Sequence, residues 1–239
     1  MSENRPFHFR HFSMMHHEAT MKIGTDAILL GAFVQTPSSG YVLDVGTGSG
    51  ILCMMIAQRC PDCIIEGIDI DQTSVNQANF NFTTSQWRKR LSASIADIRS
   101  FSSKNIKYNL ILSNPPFFTS AFKTQQDRRN LARHTDTLTH AELIRSVAVI
   151  LHDDGIFAVI IPYDSLKSFL NICFDNHLHL SRQINIIPVE DRQVNRVILE
   201  FGFKKKNKPE VQSLTIRNMD GSFTPAYNQL LKNFYLGLD

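Results

Sequence analysis

The four residues whose types and order are most specific for chemistry are Asn114, Pro115, Pro116 and Phe117. The asparagine side-chain oxygen can accept a hydrogen bond, and the two prolines fix the backbone and remove two N–H donors. Carbonyl oxygens are therefore left to accept, and the phenylalanine offers a flat apolar face. Such groups can hold a planar amino group by both N–H bonds and aim its nitrogen lone pair at an electrophilic methyl group. Catalysis would rest on orientation and electrostatics, without a general base.

A second motif is a glycine turn that follows an apolar, β-branched stretch and precedes an apolar helical run. Its residues are Asp44, Gly46, Gly48 and Gly50. Glycines permit positive φ and a close approach of a ligand to the backbone, and a strand, glycine turn and helix begin a nucleotide-binding sheet. The spacing is G-x-G-x-G, whereas dinucleotide sites usually have G-x-G-x-x-G, and Asp44 would repel a diphosphate. The motif favours a ligand with an ammonium group and a ribose, such as S-adenosyl-L-methionine. A tight turn with no methyl donor is the alternative.

Acidic residues follow the next two predicted strands. Asp69 lies 23 residues after Gly46, close to the offset at which an acid binds the ribose hydroxyls. Asp71 is expected to cap the following helix. Asp97, with Ile98 beside it, could accept a hydrogen bond from an adenine amino group, and an ordinary loop aspartate is the alternative.

The elements that must position these residues alternate between strand and helix as far as residue 176. We predict strands at 41–45, 64–69, 91–95, 106–113 and 156–162, and then at about 180–188, 194–203 and 211–217. We predict helices at 27–34 with a cap from Thr25 or Asp26, at 51–57, at 72–82, from a capping box at Thr139 and Glu142 to a stop at Gly155, at 164–176, and at about 224–236. This order predicts a Rossmann-like α/β fold, with a mostly parallel seven-stranded sheet, helices on both faces and an antiparallel C-terminal end.

Length and composition limit the class of protein. The chain has 239 residues, a formal net charge of +3 and 43% hydrophobic residues, which suits one domain over 1–239 with a sizeable core. Residues 1–36 would form a short strand or hairpin and a helix that cover the cofactor side of a core at 37–239. No apolar run is long enough to span a membrane and no signal-peptide region begins the chain, so we expect a cytoplasmic location. We also expect a monomer.

The four cysteines do not suggest a metal site. Cys60 and Cys63 form a C-x-x-C, but no second pair completes a zinc site. We interpret this pair as incidental reduced thiols, and we place Cys53 and Cys173 in the core.

With these motifs in place, the chain resembles class I S-adenosyl-L-methionine-dependent methyltransferases with an N-P-P-[FY] motif. Three further stretches resemble the bacterial family that methylates N6 of adenine 37, just 3′ of the anticodon, in a valine tRNA. They are Met21 to Gly31, Ala132 to Thr139 and Tyr227 to Leu236. The resemblance covers nearly the whole chain. The family often has Tyr where this chain has Phe117, which keeps the stacking face but removes a hydroxyl.

The resemblance implies roles for particular residues. The expected catalytic residues are Asn114, Pro115, Pro116 and Phe117, and the expected cofactor contacts are Thr25, Asp44, Gly46, Gly48, Gly50, Asp69, Ile70, Asp97, Ile98 and Asn114. A polar loop beside the catalytic motif could meet the phosphates of an anticodon loop. Its basic residues are Lys123, Arg128, Arg129 and Arg133.

Other functions of the same motifs stay open at this point. A protein glutamine N5-methyltransferase uses similar chemistry, but this chain lacks an extra N-terminal helical domain to hold a protein substrate. An rRNA guanine N2-methyltransferase is a second RNA alternative, and a non-catalytic nucleotide-binding module is the non-enzymatic one.

Overall fold

The computed structural model describes residues 5–15, 23–101, 106–115 and 138–237. In chain order the elements are β1 (Phe7–His8), β2 (Ser13–Met14), α1 (Thr25–Phe33), β3 (Ser39–Val45), α2 (Ile51–Arg59), β4 (Asp62–Asp69), α3 (Gln72–Thr84), β5 (Leu91–Ile95), β6 (Tyr108–Ser113), α4 (His140–Ile150), β7 (Leu151–Pro162), a 3₁₀ turn (Tyr163–Ser165), α5 (Leu166–Asp175), β8 (His179–Val189), β9 (Arg196–Gly202), β10 (Glu210–Arg217) and α6 (Pro225–Leu231).

One sheet dominates the described part of the chain, with the strand order β10-β8-β9-β7-β6-β3-β4-β5. Strand β9 pairs antiparallel with both β7 and β8, and the other pairings in this sheet are parallel. The carboxyl ends of seven strands therefore lie along one edge, which we call the carboxyl edge. Ligands of open α/β sheets bind outside this edge.

The middle strands are buried on both faces because helices cover both sides of the sheet. Successive side chains of a strand point to opposite faces, so Val42 packs into one hydrophobic cluster and Leu43 into the other. Helices α1 and α2 cover the first face, and α4 and α5 cover the second. This packing fixes the strand ends that carry the predicted site.

The predicted fold class is confirmed, but the sheet has eight strands rather than seven. The eighth strand, β10, lies at the edge and runs parallel to β8, with Leu214 opposite Ile186. A parallel edge strand beyond an antiparallel one cannot be read from periodicity, because alternation shows that a strand exists but not where it pairs.

The predicted start of α1 and the predicted end of α4 are wrong. Helix α1 begins at Thr25 and its N-cap is Gly24, with no side-chain hydrogen bond, so neither Thr25 nor Asp26 caps it. Helix α4 ends at Ile150 and not at Gly155, because β7 begins directly at Leu151. The apolar pattern runs unbroken from the helix into the strand, so the sequence does not mark where the helix ends.

Two other predicted caps are confirmed. The Asp71 side chain accepts from the backbone N–H of Ser74 at 2.9 Å at the start of α3. Thr139 and Glu142 form the capping box of α4.

The last helix is shorter than predicted, since α6 covers only Pro225–Leu231.

The cysteine prediction is half correct. Cys53 and Cys173 are buried and free, as expected. Cys60 and Cys63, however, are joined in a disulfide, which corrects the expectation of two reduced thiols. The bridge spans the turn between α2 and β4, at the end of β4 away from the carboxyl edge.

Candidate active site

The two sequence motifs meet at the carboxyl edge. Strands β3 and β6 are neighbours, with Val45 opposite Ser113. The Ser113 hydroxyl donates to the Val45 carbonyl oxygen at 3.0 Å, which ties the two strand ends together. Gly46 directly follows Val45 and Asn114 directly follows Ser113, so the two motifs start side by side.

Backbone donors tie the glycine turn to the end of β4. The N–H groups of Gly46 and Thr47 both donate to the Ile68 carbonyl oxygen, at 2.9 and 3.0 Å. The N–H of Gly48 donates to Asp69 Oδ2 at 2.9 Å, and the N–H of Asp71 donates to Asp69 Oδ1 at 3.0 Å. The Asp69 carboxylate is thus held by one hydrogen bond to each of its oxygens, which leaves a further lone pair on each for a ligand.

The three glycines of the turn have different surroundings. All three have positive φ, at 77° for Gly46, 54° for Gly48 and 86° for Gly50. A Cβ at Gly46 or Gly48 would meet no atom of the described residues within 4 Å, whereas a Cβ at Gly50 would lie 2.5 Å from Phe82 Cε1. The first two glycines therefore border open space where a ligand can lie, and the third allows α2 to pack against α3.

Asp44 is fully buried behind this turn. Its Oδ2 accepts from the Thr47 hydroxyl at 2.8 Å and from the Cys53 thiol at 3.5 Å. Its Oδ1 has no hydrogen-bond partner within the described residues. Burial raises the pKa of Asp44 to about 7, and the nearby Asp69 adds a smaller effect in the same direction. A cation placed close to the unpaired oxygen would favour the ionised carboxylate.

Asn114 carries a second unpaired oxygen. Its Oδ1 is buried and has no hydrogen-bond partner among the residues that the structure describes. Buried polar atoms are almost always paired, so an exception of this kind indicates a place for a ligand atom. Pro115 beside it is buried. Pro116, Phe117, Lys123, Arg128, Arg129 and Arg133 lie outside the described residues.

The remaining predicted cofactor residues are spread around the edge. Ile70 is exposed beside Asp69. Ile98 is buried in the core, so only its backbone could meet a ligand. Thr25 lies at the start of α1 and lines a separate cavity.

The Asp97 carboxylate is hydrogen-bonded to Arg99 in the same loop. Arg99 Nη2 donates to Asp97 Oδ2 at 2.6 Å and the Arg99 backbone N–H donates to Oδ1 at 2.9 Å. These hydrogen bonds lower the pKa of Asp97, so it is ionised at neutral pH. A cofactor amino group at Asp97 would have to share the carboxylate with Arg99.

Sequence reasoning missed two contributors. Thr47 links Asp44 to the turn, and its position inside the glycine motif was the available signal. Ser113 joins the two motifs. Its place directly before Asn114 was a weaker sequence signal. No group of three or more His, Cys, Asp or Glu side chains that could hold a metal ion occurs within the described ranges.

Comparison with known proteins identifies the family of this chain. Residues 7–183 match the family described as Methyltransferase small domain. The chain belongs to this family. One relative, from Phocaeicola vulgatus, is 40% identical over 235 residues, which cover 98% of this chain and 99% of the relative. Another, from Bacteroides fragilis, is 38% identical over 232 residues, which cover 96% and 97%. Both relatives are named tRNA1(Val) (adenine(37)-N6)-methyltransferase.

Solved structures show the same fold at low sequence identity. A predicted O-methyltransferase from Agrobacterium tumefaciens has a TM-score of 0.67 at 16% identity, over 87% of this chain and 96% of its own. Precorrin-6y C5,15-methyltransferase from Geobacter metallireducens has a TM-score of 0.55 at 12% identity, over 82% and 94%. These likenesses establish a class I methyltransferase fold for this methyltransferase.

In the described part of the chain, no helix is long and apolar enough to cross a membrane.

Proposed function

We propose that this protein transfers a methyl group from S-adenosyl-L-methionine to the N6 amino group of adenine 37 in the anticodon loop of a valine tRNA. Relatives that cover nearly the full chain carry this activity in their names. The observation that carries the chemistry is the buried, unpaired Oδ1 of Asn114 beside the glycine turn.

The residues around the glycine turn fit the proposed cofactor. The open space at Gly46 and Gly48 lets a ligand approach the backbone, and the remaining lone pairs of Asp69 can accept from ribose hydroxyls. The unpaired Oδ1 of Asp44 lies behind the turn and favours the ammonium group electrostatically. When bound, S-adenosyl-L-methionine supplies an electrophilic methyl group on a sulfonium.

The residues after β6 fit the proposed acceptor. Asn114 Oδ1 and the carbonyl oxygen of Pro115 would each accept one N–H bond of the adenine amino group. Two such bonds draw the nitrogen toward a pyramidal shape and orient its lone pair, which is otherwise delocalised into the ring. Because an asparagine cannot take a proton at neutral pH, the nitrogen releases its proton to water after it has become cationic. The chain then contributes orientation and electrostatics.

The base must leave the anticodon stack to reach Asn114, at a cost of about a few kcal/mol. Phe117 would offset part of this cost by stacking on the base. Lys123, Arg128, Arg129 and Arg133 would hold the RNA phosphates. If they do, replacing the three arginines by Gln reduces the dependence of RNA affinity on salt and leaves cofactor affinity unchanged. An unaltered salt dependence would contradict this part of the proposal.

Three broader expectations accompany the proposal and stay predictions. They are a single domain over 1–239, a monomer, and a cytoplasmic location.

The acceptor is tested with two transcripts of the valine tRNA, one with adenine and one with guanine at position 37. We expect N6-methyladenosine from the first and no product from the second. N2-methylguanosine would indicate guanine chemistry, and label in protein alone would indicate the glutamine alternative. Either result would overturn the proposed acceptor.

A further inference from the structure

A cavity opens on the carboxyl edge at the ends of β8 and β10, away from the glycine turn. It has a volume of about 560 Å³, within the range of small-molecule sites. We call it the aromatic pocket, and its wall is formed chiefly by Pro188, Ile216, Arg217, Phe223, Tyr227 and Tyr235. Thr25, which we predicted as a cofactor contact, borders the same cavity.

The pocket has a planar, layered wall. The Arg217 guanidinium lies 4.1 Å from the centroid of the Phe223 ring. Phe223 stacks on Tyr227 at 4.7 Å with an interplanar angle of 16°. RNA-binding proteins hold unpaired bases by stacking them on aromatic rings and arginine planes. Since Arg217 and Tyr227 cover the two faces of Phe223, a base that enters the pocket would extend this stack on the outer face of the Arg217 guanidinium.

The wall is held in place by contacts on both sides. The N–H of Glu190 donates to the Arg217 carbonyl oxygen at 2.8 Å, which joins the ends of β8 and β10. Behind it, Tyr235 stacks on Phe9 at 5.9 Å with an interplanar angle of 9°. A platform fixed in this way binds a base with little loss of side-chain freedom.

The charge at the pocket suits a nucleotide. Among the described residues that line the cavity, Arg217 is the one that carries a charge, and its side chain is exposed. The neighbouring turns carry Glu190, Asp191, Arg192 and Asp220, so the attraction to phosphate is confined to Arg217 and does not form a broad basic surface.

The position of the pocket suits the proposed substrate. Strands β8 and β6 are separated by β9 and β7, so their carboxyl ends lie about 14 Å apart at the usual strand spacing. The pocket and Asn114 therefore face the same side, at a separation that two nucleotides of one loop can span.

From this arrangement we propose that the aromatic pocket binds an unpaired nucleotide of the RNA substrate, close to the target adenine in the same loop. The base stacks on the outer face of the Arg217 guanidinium, which Phe223 supports from the other side, and Arg217 contacts a phosphate of the loop. The pocket thereby positions the loop while Asn114 holds the reacting adenine. This inference rests on the proposed function.

The test uses the full chain and the adenine-37 transcript. Phe223→Leu removes the ring and keeps an apolar side chain, and Phe223→Tyr keeps the ring. Met219→Ala is the matched control, because Met219 is exposed in the same connection between β10 and α6 and does not line the pocket. We expect Phe223→Leu to raise the RNA Kd and KM by about 5- to 150-fold, the effect of one stacked base, because the Arg217 plane that carries the base loses its support. The kcat and the cofactor Kd should not change.

Phe223→Tyr and Met219→Ala should stay close to the wild type. Arg217→Gln should lower the salt slope of RNA binding by about one, and this second variant decides the matter if Phe223→Leu does not fold. An unchanged RNA KM in folded Phe223→Leu, or an unchanged salt slope in Arg217→Gln, would overturn the pocket proposal alone. A wild-type protein that methylates no tRNA would overturn the proposed function and this inference together.

Discussion

The backbone N–H of Gly48 donates to Asp69 Oδ2 at 2.9 Å, so the glycine turn after β3 is fastened to the last residue of β4. The other oxygen of Asp69 accepts from Asp71, whose side chain caps α3. One carboxylate therefore joins the turn, a strand end and a helix start. Asp69 positions the backbone of the proposed cofactor site as well as facing it.

Replacing Asp69 by Asn should weaken both the site and the fold. The amide keeps one acceptor and sets an NH₂ group against a backbone N–H, and an unsatisfied group of this kind costs about 1–3 kcal/mol. We expect the free energy of unfolding to fall by that amount and the cofactor Kd to rise about 10- to 100-fold. Urea denaturation and titration calorimetry measure the two effects.

Asp62→Asn is the control for this variant. Asp62 is exposed at the other end of the same strand, so Asp62→Asn removes one negative charge, as Asp69→Asn does, without affecting the glycine turn. Equal losses of cofactor affinity in the two variants would contradict the role of Asp69.

The affinity for the cofactor should depend on pH through Asp44. Its pKa of about 7 lies above the ordinary 3.8, so the free folded protein holds a neutral carboxyl below pH 7 and a carboxylate above it. The cofactor's ammonium group favours the carboxylate, and binding therefore releases a proton at low pH. We expect the affinity to rise about tenfold between pH 6 and pH 8 and then to level off.

The two side chains that hydrogen-bond to Asp44 should not titrate in this range. Burial raises the pKa of Cys53 well above its ordinary value, so that thiol stays neutral, and Thr47 carries no charge. Asp44→Asn keeps an acceptor for Thr47 and should remove the pH dependence. A variant that retains the wild-type profile would show that another group is responsible.

The same raised pKa sets the sign of a stability effect. The unfolded carboxyl ionises near 3.8 and the folded one near 7, so unfolding becomes easier as the pH rises between these values. Above pH 7 this contribution stays constant. The difference between wild type and Asp44→Asn in urea denaturation, followed from pH 4 to pH 8, checks it.

Gly46→Ala should mainly weaken cofactor binding, whereas Gly50→Ala should mainly reduce the stability of the fold. Both positions have positive φ, which costs a residue with a Cβ about 1–2 kcal/mol. At Gly46 the new methyl group meets open space, so the fold loses only this amount while the proposed cofactor space is narrowed and its Kd rises. At Gly50 the methyl group meets the Phe82 ring, so the loss of stability reaches about 2–5 kcal/mol. The opposite order of stabilities in thermal unfolding would contradict this assignment.

Much of the site could be predicted because strand ends are marked in the sequence. Gly46, Asp69 and Asn114 each follow an apolar, β-branched stretch, and parallel strands bring such ends to one edge. The acid offset placed Asp69 beside the turn, where the structure has it.

The errors came from features that a local pattern does not contain. Gly24 occupies the N-cap of α1 by backbone geometry alone, so Thr25 and Asp26 were wrongly assigned to it. The pairing of Asp97 with Arg99 and of Cys60 with Cys63 depends on loop shapes. The aromatic pocket joins residues near 25, 188, 217 and 235, which only the packing of the chain brings together.

The most direct test of the account concerns Asn114. Methyl transfer from labelled S-adenosyl-L-methionine to the adenine-37 transcript should be compared in wild type, Asn114→Ala and Asn114→Asp, followed by nucleoside analysis. We predict N6-methyladenosine with the wild type, a kcat lower by at least about 100-fold in Asn114→Ala, and partial activity in Asn114→Asp, which keeps an acceptor oxygen. Because Asn114 is also an expected cofactor contact, the kcat values are compared at saturating S-adenosyl-L-methionine. Undiminished formation of N6-methyladenosine by Asn114→Ala would contradict the proposal that this oxygen holds the reacting amino group.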